Sequence, residues 1–204
     1  MTTLAKLTAG IGAALHVPLD EVEHVAGRQR EAGLIAEGTA PKHHIGTADA
    51  ARLLVGVMVM RIEGAATPAA ALTADIERLT RLRHGAQLYF DQDFVLPDDF
   101  TGAVAEILAA LADPSRRERA QRWIGRIGIA RGGGGMAGWI EARTSEAEPA
   151  EDFDYAASAD DLFAILDTAP VVRRVEVRAS ALVAVATLMA PAPSRRGPSD
   201  RSSG

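Results

Sequence analysis

No cysteine occurs among the 204 residues, which excludes disulfide bridges and thiolate metal sites and accords with a reducing compartment. Aromatic residues make up only 4% of the chain, so the core has to be aliphatic, and the abundance of alanine points to helices. Neither sign of charge dominates strongly: 22 Lys and Arg stand against 27 Asp and Glu, a formal net charge of −5. A chain so balanced is no general polyanion binder, and any nucleic-acid contact must come from a local patch. The longest apolar run, Leu53 to Met60, falls far short of the roughly 20 residues a membrane span requires. One lysine and no long apolar stretch near the N-terminus give no signal peptide. The expectation is a soluble cytoplasmic protein without membrane contact.

What is present concentrates first in Gly10 to Ile35, GIGAALHVPLDEVEHVAGRQREAGLI. An apolar helical stretch ends at Val17-Pro18, and proline suits the first turn of a following helix because its φ is fixed and it lacks a donor. Asp20 and Glu21 fall where the helix dipole favours negative charge. Val22, Val25, Ala26 and Gln29 recur at three- and four-residue steps and form one buried stripe. Gly33 is a helix stop, with Leu34 folding back on the last turn. Two short helices at a tight turn, with Leu15, Val22 and Val25 in the corner, make a helix-turn-helix.

The same stretch resembles the second and third helices of bacterial winged-helix regulators, through Val25, Arg28, Arg30, Gly33, Leu34 and Ile35. It departs from them in having no separate first helix and no clear wing strands after Ile35. The N-terminal 60 residues, with LHVPLDEVEHV, REAGLI and TADAARLL, resemble small proteins encoded in phages and prophages of alphaproteobacteria. That resemblance implies a cytoplasmic DNA-recognising protein acting in transcription regulation or, as small terminase subunits do, in genome packaging, often as an oligomer.

In such a motif the exposed side of the second helix meets base edges and basic neighbours hold phosphates. Helical spacing exposes Asp20, Glu21, His24, Arg28 and Glu31. The candidate DNA-binding set is His24, Arg28 and Arg30, with Lys42, His43 and His44 at the position of a wing. Against it stands the acidic start of the helix. The first 66 residues hold six basic and seven acidic side chains, leaving no basic excess to drive nonspecific affinity. The alternative is a helical hairpin used only for packing or protein contact.

Along the rest of the chain, 36–46 is a loop by composition, and Thr47 caps a third helix that runs to about Gly64. Its run of apolar residues reads as a helix buried on several sides. The competing reading is a subunit interface through Leu53, Val57 and Met60, with Gly56 admitting a partner helix. Leu72, Ile76, Leu79 and Leu82 predict a fourth helix to about Arg83. Residues 87–96 hold a short strand, and a helix with Val104, Ile107, Leu108 and Leu111 follows Pro97-Asp98-Asp99. Ser115 to Trp123 is a basic helix. Ile124 to Ala130 and Met136 to Arg143 form a hairpin around the glycines at 132–135. Glu146 to Asp154 is an acidic loop, Asp160 to Leu166 a short helix, Val171 to Arg178 a strand, and Ala179 to Met189 a last helix. From Pro191 the Pro, Ser, Gly and Arg composition predicts disorder.

The expected class is α+β, mainly α. The division is a helix-turn-helix domain over 1–66, a helical middle over 67–122, a small α+β domain over 123–190 and a tail over 191–204. Arg116, Arg117, Arg119, Arg122 and Arg126 form the densest basic patch, available to phosphate, to an acidic partner or to the chain's own 146–154 stretch. His16, His24, His43 and His44 lack the rigid spacing of a zinc site. Asp91, Asp93, Asp98 and Asp99 read as turn and cap residues before a cation site. No cofactor is expected. No nucleophile or general base stands in a recognisable frame, so an enzyme is not expected. An assembly module oligomerising through the 47–63 helix, and a regulator whose C-terminal part binds a small molecule, remain as alternatives.

Overall fold

The computed structural model describes residues 2–35, 45–64, 76–82, 88, 94–132, 135–165 and 172–190. Helix α1 (Leu4–Leu15) opens on Thr3, whose hydroxyl accepts from the Lys6 N–H. It ends at His16, held left-handed at φ 54, and Val17 N–H closes the turn onto the Gly12 carbonyl at 2.9 Å. Helix α2 (Leu19–Glu31) follows at once, with Pro18 as its N-cap, one position before the first turn. Its C-terminus is a Schellman motif: Gly33 at φ +69 donates to Arg30 O and Leu34 N–H to Gln29 O at 2.8 Å, which satisfies carbonyls that would otherwise be orphaned.

Helix α3 (Thr47–Glu63) is capped by Gly46, not Thr47, and the Asp49 carboxylate accepts the Gly46 N–H at 3.2 Å. Leu53 to Met60 are buried on every side within the chain itself. Leu53 and Val57 are fully buried and Met60 is 5% exposed, so these three are core and not an oligomer face. Gly56 does admit a close neighbour, but that neighbour is α2: a Cβ there would lie 2.3 Å from Gln29 Nε2.

The expected fourth helix does not reach Arg83. Thr80 and Arg81 form strand β1 (Thr80–Arg81), paired with Ala156 and Tyr155. The three-residue leucine spacing is real, but Leu79 enters the main core and Leu82 a second cluster. Arg81, its side chain 3% exposed, is tied to Asp98 at 2.8 Å, and this long-range pairing overrides the local helical period. Helix α4 (Phe100–Ala112) starts on Asp99, whose carboxylate accepts from Gly102 N at 2.6 Å. Asp99 is thus a cap, as its position indicated. Asp91 and Asp93 lie outside the described residues, as does most of 87–96.

Helix α5 (Arg117–Trp123) leads into β2 (Ile124–Gly132) and β3 (Gly135–Ala142), an antiparallel hairpin. Strand β4 (Glu151–Ala156) corrects the acidic-loop reading of 146–154. Phe153 and Tyr155 alternate inward while Asp152 and Asp154 share the opposite face, a period of two that the charge had hidden. Short α6 (Ala159–Phe163), β5 (Arg173–Arg178) and α7 (Ala179–Met189) complete the order. The sheet runs β1-β4-β3-β2-β5, every pair antiparallel. The chain is therefore α+β and mainly helical.

Helices α3 and α7 pack on β2 and β5, and α1 packs on α7. One cluster of buried residues runs from Leu7 through α3, α4 and the inner sheet face to Ala186. It crosses the boundaries drawn at 66 and 122, so those segments share a core. Phe100 is one of its fully buried members, edge-on to Tyr155 with ring centroids 5.3 Å apart. A Cβ on Gly138 would fall 2.9 Å from that ring. Phe100 is fully buried and cannot step aside, so Gly138→Val should cost about 1–3 kcal/mol by overpacking. A urea series should show a lowered midpoint with the slope unchanged; a midpoint equal to wild type would show that the ring has room.

Candidate functional site

Helix α2 has a buried stripe and two usable sides. Val22, Val25, Ala26 and Gln29 are the buried residues, as the spacing indicated. Asp20, Glu23, His24 and Glu31 are exposed, and Arg28 and Arg30 are half-buried. Glu21 is half-buried, not open, and faces Arg61 of α3 at 3.4 Å. Gly27 lies midway along the open side, and a Cβ built on it meets nothing within 4 Å. Lys42, His43 and His44 fall outside the described residues.

The other side of α2 borders a cavity of about 500 Å³ shared with α3 and the start of α4, within the ~300–1,000 Å³ range of small-molecule sites. Val25, Gly56, Met60 and Ala105 give it an apolar floor, while Arg28, Gln29 and Thr101 add polar groups to its wall. Arg28 therefore borders the cavity as well as the open side. Gln29 is 8% exposed. Its Nε2 donates to the Arg52 carbonyl at 2.8 Å, and its Oε1 is buried with no hydrogen-bond partner. Sequence reasoning missed this site. Its one trace was a glutamine inside an otherwise apolar stripe, because the α4 wall is brought in from far along the chain.

The basic segment does not form one patch. Arg117 donates to the Leu111 and Ala112 carbonyls at 2.8 and 3.2 Å and closes the end of α4. Arg116 stacks over the Phe94 ring at 5.6 Å, and Arg122 pairs with Glu118. Arg119 is exposed. Arg126 points onto the outer sheet face, between Glu141 at 2.8 Å and Glu176 at 3.0 Å. From the anticipated partner stretch 146–154, Asp152 lies within electrostatic reach of Arg126. Arg131, beside the glycine turn, pairs with Glu63 at 2.6 Å.

Partial burial pushes the Asp152 carboxyl above the ordinary range, reinforced by Glu141 and opposed by Arg126. Desolvation likewise raises the Tyr155 phenol, whose hydroxyl donates to the Pro97 carbonyl at 3.2 Å. Hydrogen bonds from Ser115 hold Asp113 below the usual carboxylate range. None of these groups opens on the cavity. Among the described residues no three His, Asp or Glu side chains gather as metal ligands, and no helix is long and apolar enough to cross a membrane. No protein-family model, curated protein or solved structure matches the chain.

Arg126 is the cation among Glu141, Glu176 and Asp152, so Arg126→Ala leaves three carboxylates facing one another. The Asp152 pKa, already raised in the fold, climbs further once Arg126 no longer lowers it, a stabilising difference that is fully present at low pH and lost as pH climbs through it. The variant should be less stable than wild type at pH 7, with the gap closing toward pH 4 in urea titrations. An equal deficit at both pH values would mean that Arg126 acts by packing alone.

Proposed function

We propose that the chain is a non-enzymatic, double-stranded-DNA-binding protein of phage or prophage type, acting in transcription regulation or genome-packaging recognition, with α2 as its reading helix. The observation that carries this reading is Gly27. A glycine inside a helix costs roughly 0.5–1 kcal/mol relative to alanine. Nothing in the fold requires it here, since its φ is not positive and no atom crowds its missing side chain. The cost is explained by a partner that comes close to the α2 backbone.

The charges around Gly27 indicate which partner. Glu21 is matched by Arg61, Asp49 by Arg52 at 3.7 Å, and Glu63 by Arg131. Asp20 and Glu23 stay at the start of α2, while Arg28 and Arg30 occupy its later half, which precedes Lys42, His43 and His44 in sequence. A duplex seated on that later half meets Arg28 and Arg30 beside the single Glu31 carboxylate, and one seated on the first turn meets carboxylates alone. With so few cations, affinity for random sequence is weak and recognition falls to base contacts. A gene position beside large-terminase and portal genes would favour packaging over regulation.

Gly27→Ala separates fold from function. It should raise stability by about 0.5–1 kcal/mol while weakening binding to a selected DNA site in fluorescence anisotropy. Arg30→Ala should lower the slope of log affinity against log salt by about 1. Affinity and salt slope unchanged in both variants would remove α2 as the reader.

A further inference from the structure

We propose that two copies of this chain join through strand β5, edge to edge, so that their sheets run on as one antiparallel sheet. The inference stands apart from DNA binding and from the cavity beside α2. Strand β5 ends the sheet order β1-β4-β3-β2-β5. Each of its residues pairs with β2, from Arg173 opposite Arg131 to Arg178 opposite Arg126. Among the described residues its other edge carries no ladder, and a row of N–H and C=O groups left so is a template for a further strand. The far end of the sheet offers no equivalent, because β1 is only two residues long. Proteins blunt such an edge with proline, a bulge or charge. Strand β5 has no proline and an unbroken register with β2. Charge is what remains, and its pattern favours one pairing while opposing the next.

The register follows from faces and charges. Val175 and Val177 belong to the core side, while Arg174, Glu176 and Arg178 are exposed. A one-residue slip would turn every side chain to the wrong face. Two registers keep the faces and still overlap most of the strand. One sets Glu176 opposite its own copy and Arg174 opposite Arg178, and like charges directly opposite are destabilising. The other sets Val175 opposite its own copy, Arg173 opposite Val177, and Arg174 opposite Glu176 on both sides of the two-fold axis. Only the second matches acid to base. Arg174 makes no ion pair among the described residues, and Glu176 stays 37% exposed beside Arg126 at 3.0 Å. The two-fold pairing gives Arg174 the acid that its own chain does not. A single short ladder is a small contact, so the dimer belongs to the weak, concentration-dependent class.

Sedimentation velocity of the full chain over a concentration series should show the mass rising from 21.5 kDa toward twice that value. Arg174→Glu sets acid against Glu176 at both contacts and should weaken the dimer about tenfold or more, whereas Arg174→Lys should stay within about threefold. Glu176→Arg should weaken it likewise. An equimolar mixture of Arg174→Glu and Glu176→Arg chains again matches every acid to a base across the axis, so a heterodimer of wild-type affinity should form. Should Glu176→Arg unfold through loss of its bond to Arg126, the contrast between Arg174→Glu and Arg174→Lys still decides, since Arg174 holds no ion pair in the fold. A wild-type chain that stays monomeric up to about 1 mM, a dimer unmoved by Arg174→Glu, or two folded charge variants that fail to pair when mixed would overturn the assignment.

Discussion

A helix apolar on every side has nowhere to stand except inside, and α3 imposes that condition on the whole chain. Eleven of its 17 residues are buried, and no single neighbour can cover them. Helix α2 covers one side, α4 another, and β2, β5 and α7 the rest. The α1–α2 corner is therefore not a module tethered to a separate C-terminal part. It is docked through α3 onto the same core as the sheet, and α1 is held from behind by α7, where Leu188 fills the space that Gly10 leaves. Burying a full aliphatic side chain contributes about 1.5–3 kcal/mol, so Leu53 to Met60 together outweigh any local preference elsewhere.

That hierarchy explains what the sequence disclosed. The corner, the stop at Gly33, the buried α3, the hairpin, β5 and the last helix were legible because each is set by local chemistry: a turn, a cap, a period of two or 3.6. The failures are places where distant partners decide. Thr80-Arg81 became an edge strand because Tyr155 and Ala156 were waiting for one. Strand β4 was mistaken for a loop because its outward positions carry Asp152 and Asp154, and charge was weighed above alternation. Leu53, Val57 and Met60 were candidates for a subunit interface only because a single sequence does not show how many layers will close over a helix.

The arginines show the same limit at the level of the site. Density along the chain suggested one basic patch over 116–126, yet a short helix followed by a strand sends those side chains to different surfaces. Arg117 serves as a helix C-cap, Arg116 lies over an aromatic ring, and Arg126 neutralises acids of two neighbouring strands. Charge clustered in sequence becomes a surface patch only if the backbone keeps one face, and here it turns twice.

In α2 the departures from good helix design can be sorted from the rest. The helix carries acids in its first turn, a full Schellman stop and an apolar stripe packed on α3, all features that stabilise it. Two positions oppose that design. Gly27 gives up backbone stability on a surface where alanine would fit without contact, and Gln29 buries an acceptor that the fold leaves bare. Local errors that a fold tolerates within an otherwise consistent element tend to mark functional positions. They lie on different sides of the same helix, one toward solvent and one toward the cavity, with Arg28 between them. Packing does not account for Gly27, and the Gln29 acceptor stays unsatisfied within the fold.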